Sequence, residues 1–237
     1  MRVLTIHGVT EHGQSWEYLA GYLPEVNIAA PDLLGHGRSS WAAPWSIDAN
    51  VSALAALLKD QADGPVVVVG HSFGGAVALQ LAAAHPDLVA ALILLDPAIG
   101  LDGSRVREVV DAMVAFPDYT DPAEARMERA YGAWADVDPA VLDAELDEHL
   151  ITLPNGRYSW RISLPAMVCY WSELARDAAL PPRESRPRWC GRCVPIRSTS
   201  ATNSSRPCGN GWEPTSPCGN SSADTWFPRP NPLKSPH

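Results

Sequence analysis

A serine between two glycines is the strongest candidate for chemistry in this chain. Ser72 is the centre of the pentapeptide Gly-His-Ser-Phe-Gly at 70–74, which follows four valines and precedes an alanine-rich segment. Consecutive β-branched residues are typical of a strand buried on both faces of a parallel sheet. Small residues on every side favour a helix packed closely on that sheet. The pattern predicts a sharp strand-to-helix turn that presents the Ser72 hydroxyl. In the alternative interpretation, Ser72 only caps the helix.

The two glycines of the pentapeptide have a predicted steric role. The chain reverses so tightly that a Cβ at Gly70 or Gly74 would meet the helix or the neighbouring strand. With its flanking strand and helix, the motif resembles the nucleophile elbow of the α/β-hydrolase family. The similarity extends from about Arg2 to Ala179. It implies an α/β fold: a doubly wound, mostly parallel sheet with helices on both faces and a helical cap.

The resemblance also implies a function, hydrolysis of an ester or related acyl bond of a small molecule, with no cofactor and no metal. Ser72 would attack the carbonyl carbon, and two backbone N–H groups would stabilise the oxyanion. Those donors are Phe73, after the serine, and Val9, in a His-Gly loop that resembles the family's oxyanion loop. His7 in that loop is expected to be structural.

Asp96 is a candidate for the acid that orients the catalytic base. It follows the apolar segment 88–95, and its strand would end at the same sheet edge as the strand before Ser72. The alternative is a turn carboxylate that caps the segment at Pro97. Segment 32–40 resembles the family motif D-x-x-G-x-G-x-S and supports the fold. Asp32 and Arg38 are expected to bind local backbone and one another, with His36 as a loop residue.

The sequence predicts four regions: a hydrolase core at 1–100, a helical cap at 101–162, a return helix at 163–180 and a non-family tail at 181–237. Predicted cap helices cover 105–116, 122–134 and 139–150. Five apolar cap residues are expected either to line a substrate cavity or to attach the cap to the core: Met113, Phe116, Met127, Tyr131 and Trp134. His149 has acidic neighbours, which favours a solvated face over a metal site.

The tail differs in composition from the rest of the chain. Residues 1–180 carry 10 basic and 24 acidic side chains, a net −14, whereas residues 181–237 carry 8 and 3, a net +5. Half of the 22 prolines and four of the five cysteines lie in the tail. Neither strand nor helix periodicity is recognisable there, so the family's last strands and helix are expected to be missing or disordered. The triad histidine belongs in that region.

A frameshift explains this change of composition. Back-translation of 184–237 with permitted codons, followed by translation from the third base of each codon, gives I-T-T-T-V-V-R-A-V-R-T-D and then D-Q-L-I-A-A-L-R-E-R-L-G-A-D. These peptides have the patterns of a strand ending in aspartate and of an amphipathic helix. The triplets for 224–227 then give His-Met-Val, so a histidine follows in the order that the family requires. We infer an insertion or deletion of one base near Arg183.

Other interpretations of the tail and of the function stay open. Cys190 and Cys193, with Cys208 and Cys218, form a possible four-thiolate zinc site, although the nine residues between the second pair do not suit zinc. Without the triad histidine, the chain is either an impaired serine hydrolase or a catalytically inactive relic that binds a small molecule. A cofactor-free haloperoxidase or perhydrolase activity is a further alternative, since those family members share Gly-x-Ser-x-Gly.

Charge and hydropathy exclude several classes of partner. The 237 residues carry a net charge of −9 without a basic stripe, which disfavours nucleic acid. No apolar run approaches the roughly 20 residues that a membrane helix needs. A strand begins directly at Arg2, without a signal-peptide pattern, so a cytoplasmic protein is expected. The sequence does not determine the oligomeric state.

The frameshift hypothesis makes a direct prediction about the gene. We expect the codons of 184–237 to contain the second frame quoted above, without a stop codon. Sequencing the coding DNA on both strands checks this, and the codons before Arg183 serve as the in-frame control. Codons that do not encode the strand, the helix and the histidine in that frame would refute the hypothesis.

Overall fold

The computed structural model describes residues 2–132, 134–177 and 188–190. The strands are β1 (Arg2–Ile6), β2 (Asn27–Ala29), β3 (Val66–His71), β4 (Val89–Leu95), β5 (Leu150–Thr152), β6 (Tyr158–Trp160) and β7 (Arg188–Cys190). Five of them form a parallel sheet in the order β2-β1-β3-β4-β7. Strands β5 and β6 form a separate antiparallel pair. The predicted α/β class, with a mostly parallel sheet, is confirmed.

Seven α-helices and a short 3₁₀ turn (Gly13–Trp16) connect the strands of the described residues. The helices are α1 (Glu17–Tyr22), α2 (Ile47–Gln61), α3 (Phe73–Ala84), α4 (Gly103–Ala115), α5 (Pro122–Tyr131), α6 (Pro139–His149) and α7 (Leu164–Glu173). Aspartate side chains cap α4, α5 and α6, and a proline occupies the first turn of α5 and of α6. None of these helices is both long and apolar enough to cross a membrane.

The elbow helix α3 is buried almost all round. Its apolar positions, among them Val77, Ala78 and Leu81, are inaccessible to solvent and join one cluster with Leu4 and Val68 of the sheet. Helices α2 and α7 contribute to the same cluster. The alanines permit this close packing, because a helix with larger side chains would sit farther from the strands. On the opposite face of the sheet, a second, smaller cluster is built around Trp16 of the 3₁₀ turn.

Strand register brings three loops to one edge of the sheet. Ile6 pairs with Gly70, and Gly70 pairs with Leu94, so β1, β3 and β4 end at nearly the same level. In parallel strands those ends all point to one edge. The residues that follow, including Ser72 and Asp96, therefore emerge together at that edge.

The segment between β4 and α7 contains α4, α5, α6 and the hairpin β5–β6. It returns to the core through α7, whose Tyr170 is completely buried. The Tyr170 hydroxyl donates to the carbonyl oxygen of Leu34 (2.8 Å) and accepts from the side-chain amide of Asn50 (2.9 Å). This chain of hydrogen bonds fixes α7 against α2 and the loop after β2.

Strand β7 lies in the segment for which the sequence shows no strand pattern. Three residue pairs, Ala91–Arg188, Leu92–Trp189 and Ile93–Cys190, place it parallel to β4. The structure thus describes one strand of three residues after Pro181, where the sequence pattern predicts none. The hypothesised four-thiolate zinc site includes side chains that lie outside the described residues.

Candidate active site

Ser72 occupies the turn between β3 and α3 with an unusual backbone conformation. Its φ is 50° and its ψ is −117°. Among the described residues other than glycine, only Ser72 and Asp96 have positive φ. A residue with a Cβ rarely adopts such angles, and the conformation costs on the order of 1–3 kcal/mol. The surrounding structure must therefore hold Ser72 in place.

Hydrogen bonds from the segment after β4 hold this turn. The Ser72 N–H donates to the carbonyl oxygen of Leu95 (3.1 Å), and the Ala98 N–H donates to the carbonyl oxygen of Ser72 (3.0 Å). The Gly75 N–H donates to the same oxygen (2.9 Å). The backbone of Ser72 is thus tied to the residues on both sides of Asp96.

Close backbone approaches explain the glycines of the motif. A Cβ on Gly70 would overlap the carbonyl group of Gly74, and a Cβ on Gly74 would overlap the carbonyl oxygen of Ile6. In both cases the obstacle is backbone, which cannot move aside as a flexible side chain can. The turn can therefore lie directly on the end of β1 only if both positions lack a side chain.

Phe73 and Val9 supply the two candidate oxyanion donors. Phe73 begins α3, where the first N–H groups of a helix have no acceptor within the helix. Val9 is buried in the loop after β1, and its carbonyl oxygen accepts a hydrogen bond from Nε2 of His36 (2.7 Å). This hydrogen bond fixes the carbonyl group of Val9, which follows the candidate N–H donor along the chain. The loop carrying Val9 and the turn carrying Phe73 meet where Gly74 contacts Ile6.

His7 is held as a neutral imidazole in the protein interior. Its Nδ1–H donates to the carbonyl oxygen of Gly8 (2.8 Å), and its Nε2 accepts from the N–H of Leu33 (2.9 Å). Burial, together with the nearby His36, lowers the pKa of His7 to about 3. Both ring nitrogens are occupied by backbone groups, so this side chain supports the loop and has no free nitrogen for proton transfer.

Glu11 is a functional candidate that the sequence analysis missed. Its Oε2 lies 3.0 Å from Nδ1 of His71 and accepts the N–H of Gly8 (2.8 Å). Although burial opposes it, the hydrogen bond and charge of His71 lower the pKa of Glu11 to about 2. Burial likewise opposes protonation of His71, but the hydrogen bond and charge of Glu11, with the charge of Asp96, raise the pKa of His71. The ion pair connects the loop after β1, which carries Val9, to the residue before Ser72.

Asp96 lies where the sequence places it, directly after β4, with its side chain exposed and a φ of 44°. Its charge reaches His71, which precedes the candidate nucleophile. Within the described part of the chain, no hydrogen bond joins the Ser72 hydroxyl to an imidazole. The structure thus brings together Ser72, Phe73, Val9 and Asp96 at one edge and adds the unpredicted pair of Glu11 and His71.

One expectation about these residues is wrong. Asp32 accepts the N–H groups of Gly13 (2.8 Å) and Arg38 (2.9 Å), as expected of a turn carboxylate, while the Arg38 guanidinium pairs with Glu148 of α6. His36 lies in the loop between β2 and α2, as expected, and is completely buried. His149 is not on a solvated face, because only 4% of it is exposed.

The apolar cap residues divide into two groups. Phe116, Met127 and Tyr131 are exposed. Met113 packs against the main core cluster. Trp134 lies 5.4 Å from the guanidinium carbon of Arg129, which also stacks on Trp160 and donates to the carbonyl oxygen of Thr10 (3.3 Å).

Comparison with known proteins identifies the family. Residues 3–200 match the model of the alpha/beta hydrolase family, and the chain belongs to that family. It is 82% identical over 181 residues to Lipase LipV of Mycobacterium tuberculosis, an alignment that covers 76% of this chain and 69% of that protein. Over 97 residues it is 40% identical to Esterase Rv0045c of the same organism, covering 40% of this chain and 32% of that one.

Solved structures show the same fold. E-2-(acetamidomethylene)succinate hydrolase superposes with a TM-score of 0.65 at 20% identity, covering 76% of this chain and 70% of that chain. A marine microorganism esterase gives a TM-score of 0.61 at 24% identity, covering 80% and 75%.

The strain at Ser72 predicts a stability difference between two variants that both lack the hydroxyl. Ser72→Gly relieves the positive φ, whereas Ser72→Ala retains a Cβ and hence the strain. We expect Ser72→Gly to be more stable than Ser72→Ala by about 1–2 kcal/mol, measured by urea unfolding. Equal stabilities would show that the turn is not strained in solution.

The ion pair of Glu11 and His71 predicts a pH-dependent contribution to stability. Because the pKa of His71 is raised, its protonated form stabilises the fold fully below pH 6.5, and this stabilisation is lost as the pH rises through the folded-state pKa. Because the pKa of Glu11 is lowered, its ionised form stabilises the fold above pH 4.5, and this stabilisation is lost as the pH falls toward 2. The ion pair therefore adds most to the free energy of unfolding between pH 4.5 and pH 6.5.

Glu11→Gln tests this, since it keeps an acceptor for Gly8 and removes the charge. We expect it to lower the free energy of unfolding by roughly 1.5–3 kcal/mol in the window between the two ordinary pKa values, and by less in alkaline buffer. Urea unfolding at both pH values provides the measurement. Glu17→Gln, at an exposed position at the start of α1, is the control and should show no such pH dependence. If Glu11→Gln lowers the free energy of unfolding by the same amount at both pH values, the ion pair is contradicted.

Proposed function

We propose that this chain is an ester-hydrolysing serine hydrolase in which Ser72 is the nucleophile, and that the chain as it stands is impaired. The observation that carries the proposal is the strained φ of Ser72 at the turn between β3 and α3. Strain of this kind persists where the surrounding structure enforces it, and it concentrates at functional sites. The names of the relatives, a lipase and an esterase, support an acyl ester of a small molecule as the substrate.

The proposed reaction has two stages. In the first, Ser72 Oγ attacks the ester carbonyl carbon, a histidine takes the hydroxyl proton, and the N–H groups of Val9 and Phe73 bind the oxygen that becomes negative. The alcohol leaves with the proton from the histidine, and an acyl-serine remains. In the second stage, water activated by the same histidine attacks the acyl carbon, which releases the carboxylic acid and restores Ser72. Asp96, or an acid absent from this chain, orients the histidine.

The histidine is the component that the described residues do not supply. His7 and His36 have both ring nitrogens at backbone groups, and His71 is bound by Glu11. His12, in the loop after β1, and His149, on α6, stack on each other. Without a general base the serine keeps only the catalysis of the oxyanion donors and of binding, roughly 10³–10⁴-fold over water.

The missing general base also supports a second candidate function. Because no imidazole hydrogen-bonds the Ser72 hydroxyl within the described residues, the chain is alternatively a non-catalytic module that binds a small molecule. This alternative shares the fold and the turn and differs only in the fate of Ser72. Reactivity of the hydroxyl therefore distinguishes the two functions.

A fluorophosphonate probe and a p-nitrophenyl ester test the proposal on two chains. One is the chain as it stands; in the other, the frame is restored near Arg183. We expect the restored chain to be labelled quickly and to hydrolyse the ester at least about 10³-fold faster. Ser72→Ala in each chain is the matched control, and mass spectrometry locates the label.

The outcomes separate the two parts of the proposal. Labelling of the restored chain that survives Ser72→Ala would overturn the role of Ser72. Equal, rapid and Ser72-dependent labelling of both chains would keep the nucleophile but overturn the claim that this chain is impaired. A restored chain that folds and shows neither labelling nor turnover would favour the binding module.

A further inference from the structure

A cluster of three buried ligand-type side chains joins the core to the cap. His12 lies in the loop after β1, at the start of the 3₁₀ turn, and Glu145 and His149 lie one turn apart on α6. Each residue offers one ligand atom, and these atoms all lie within 4.8 Å of one another. All three side chains are at least nine-tenths buried.

The polar groups of this cluster are only partly satisfied. Nε2 of His12 lies 2.9 and 2.8 Å from the two carboxylate oxygens of Glu145, and Nε2 of His149 lies 3.2 Å from the side-chain oxygen of Gln14. Nδ1 of His12 and Nδ1 of His149 are buried, and neither has a hydrogen-bond partner in the described structure. Such nitrogens cost on the order of 1–3 kcal/mol when they are left unpaired.

The two imidazole rings stack directly on each other, with centroids 3.3 Å apart and planes 14° from parallel. One nitrogen of each ring lies within 4.8 Å of a carboxylate oxygen of Glu145. A cavity of about 10 Å³ adjoins the three residues, which is the size of a single water molecule. The arrangement leaves room for one further small ligand.

The charges that face the cluster come from five other side chains. Three of them, Glu11, Asp32 and Glu148, are acidic, and two, Arg129 and Arg161, are basic. The guanidinium of Arg129 is engaged by Trp134, Trp160 and Thr10, and that of Arg161 donates to the carbonyl oxygen of Glu148 (3.2 Å). With Glu145, the carboxylates outnumber the guanidinium groups, so the surroundings tolerate a cation.

We propose that His12, Glu145 and His149 form a binding site for a divalent transition metal of the zinc class. Two imidazoles and a carboxylate are a ligand set that zinc accepts, with water in the fourth position. The His12–Glu145 hydrogen bond would be exchanged for bonds to the metal. The metal would link α6 to the loop that continues from Val9, so binding would hold α6 against that loop. This site is independent of the chemistry of Ser72.

The test uses Co²⁺ and Zn²⁺ on the full-length chain after treatment with a chelator. The four tail cysteines are replaced by serine in every sample, so that thiolate binding by the tail is excluded. We expect one Co²⁺ per chain with the visible bands of a nitrogen–oxygen site, displacement by Zn²⁺, and a rise in melting temperature with Zn²⁺ concentration.

Variants then assign the site. His149→Ala and Glu145→Gln should each weaken Co²⁺ binding at least about 100-fold, which exceeds the loss on removing an outer partner. Glu145→Gln retains the volume and an acceptor for His12, so its fold provides a check when His149→Ala is unstable. His85→Ala, at the end of α3, is the matched control and should bind like the parent chain.

Two results would overturn the proposal. The first is the absence of stoichiometric binding at millimolar metal to a parent chain that unfolds cooperatively. The second is unchanged affinity in a folded Glu145→Gln variant. Either would mean that the cluster is only an ion pair and ring stack that hold the cap.

Discussion

The steric crowding between the elbow and the end of β1 is the constraint on which the site depends. Gly74 can lie against the carbonyl oxygen of Ile6 only without a side chain, and Gly70 faces Gly74 under the same condition. This contact places Phe73 next to the loop that carries Val9. The same turn gives Ser72 a positive φ, which favours glycine. Hydrogen bonds from Leu95 and Ala98 hold that strained conformation. The tight packing of the sheet and of α3 therefore holds the backbone that carries the Ser72 hydroxyl and the N–H groups of Val9 and Phe73.

The same region shows how core and cap share residues. The loop after β1 contributes Val9 to the proposed oxyanion hole, Glu11 to the pair with His71, and His12 to the cluster with α6. Arg129 of the cap also binds this loop, at Thr10. Helices α5 and α6 therefore contact the same short loop that carries Val9.

Much of the core was predictable because its signals are local. Strand β1 has the predicted bounds, and the elbow follows from a valine run, two glycines and an alanine-rich helix within twenty residues.

The long-range contacts were not predictable from the sequence. His149 has acidic neighbours along its helix, but its partner His12 is on the core, and Glu145 meets His12 across 133 positions. Glu11 and His71 are 60 positions apart. The hairpin β5–β6 pairs only three residues on each side, too few for a periodic pattern. Strand β7 lies in a segment whose own composition does not favour a strand, and pairing with β4 decides its conformation.

A crystal structure of the frame-restored chain after reaction with a phosphonate inhibitor tests the central claim most directly. The account predicts a covalent bond between phosphorus and the Oγ of Ser72, with the phosphoryl oxygen accepting hydrogen bonds from the N–H groups of Val9 and Phe73 at about 2.7–3.1 Å. Phosphorus attached to another residue, or a phosphoryl oxygen that faces solvent away from these two amides, would contradict it.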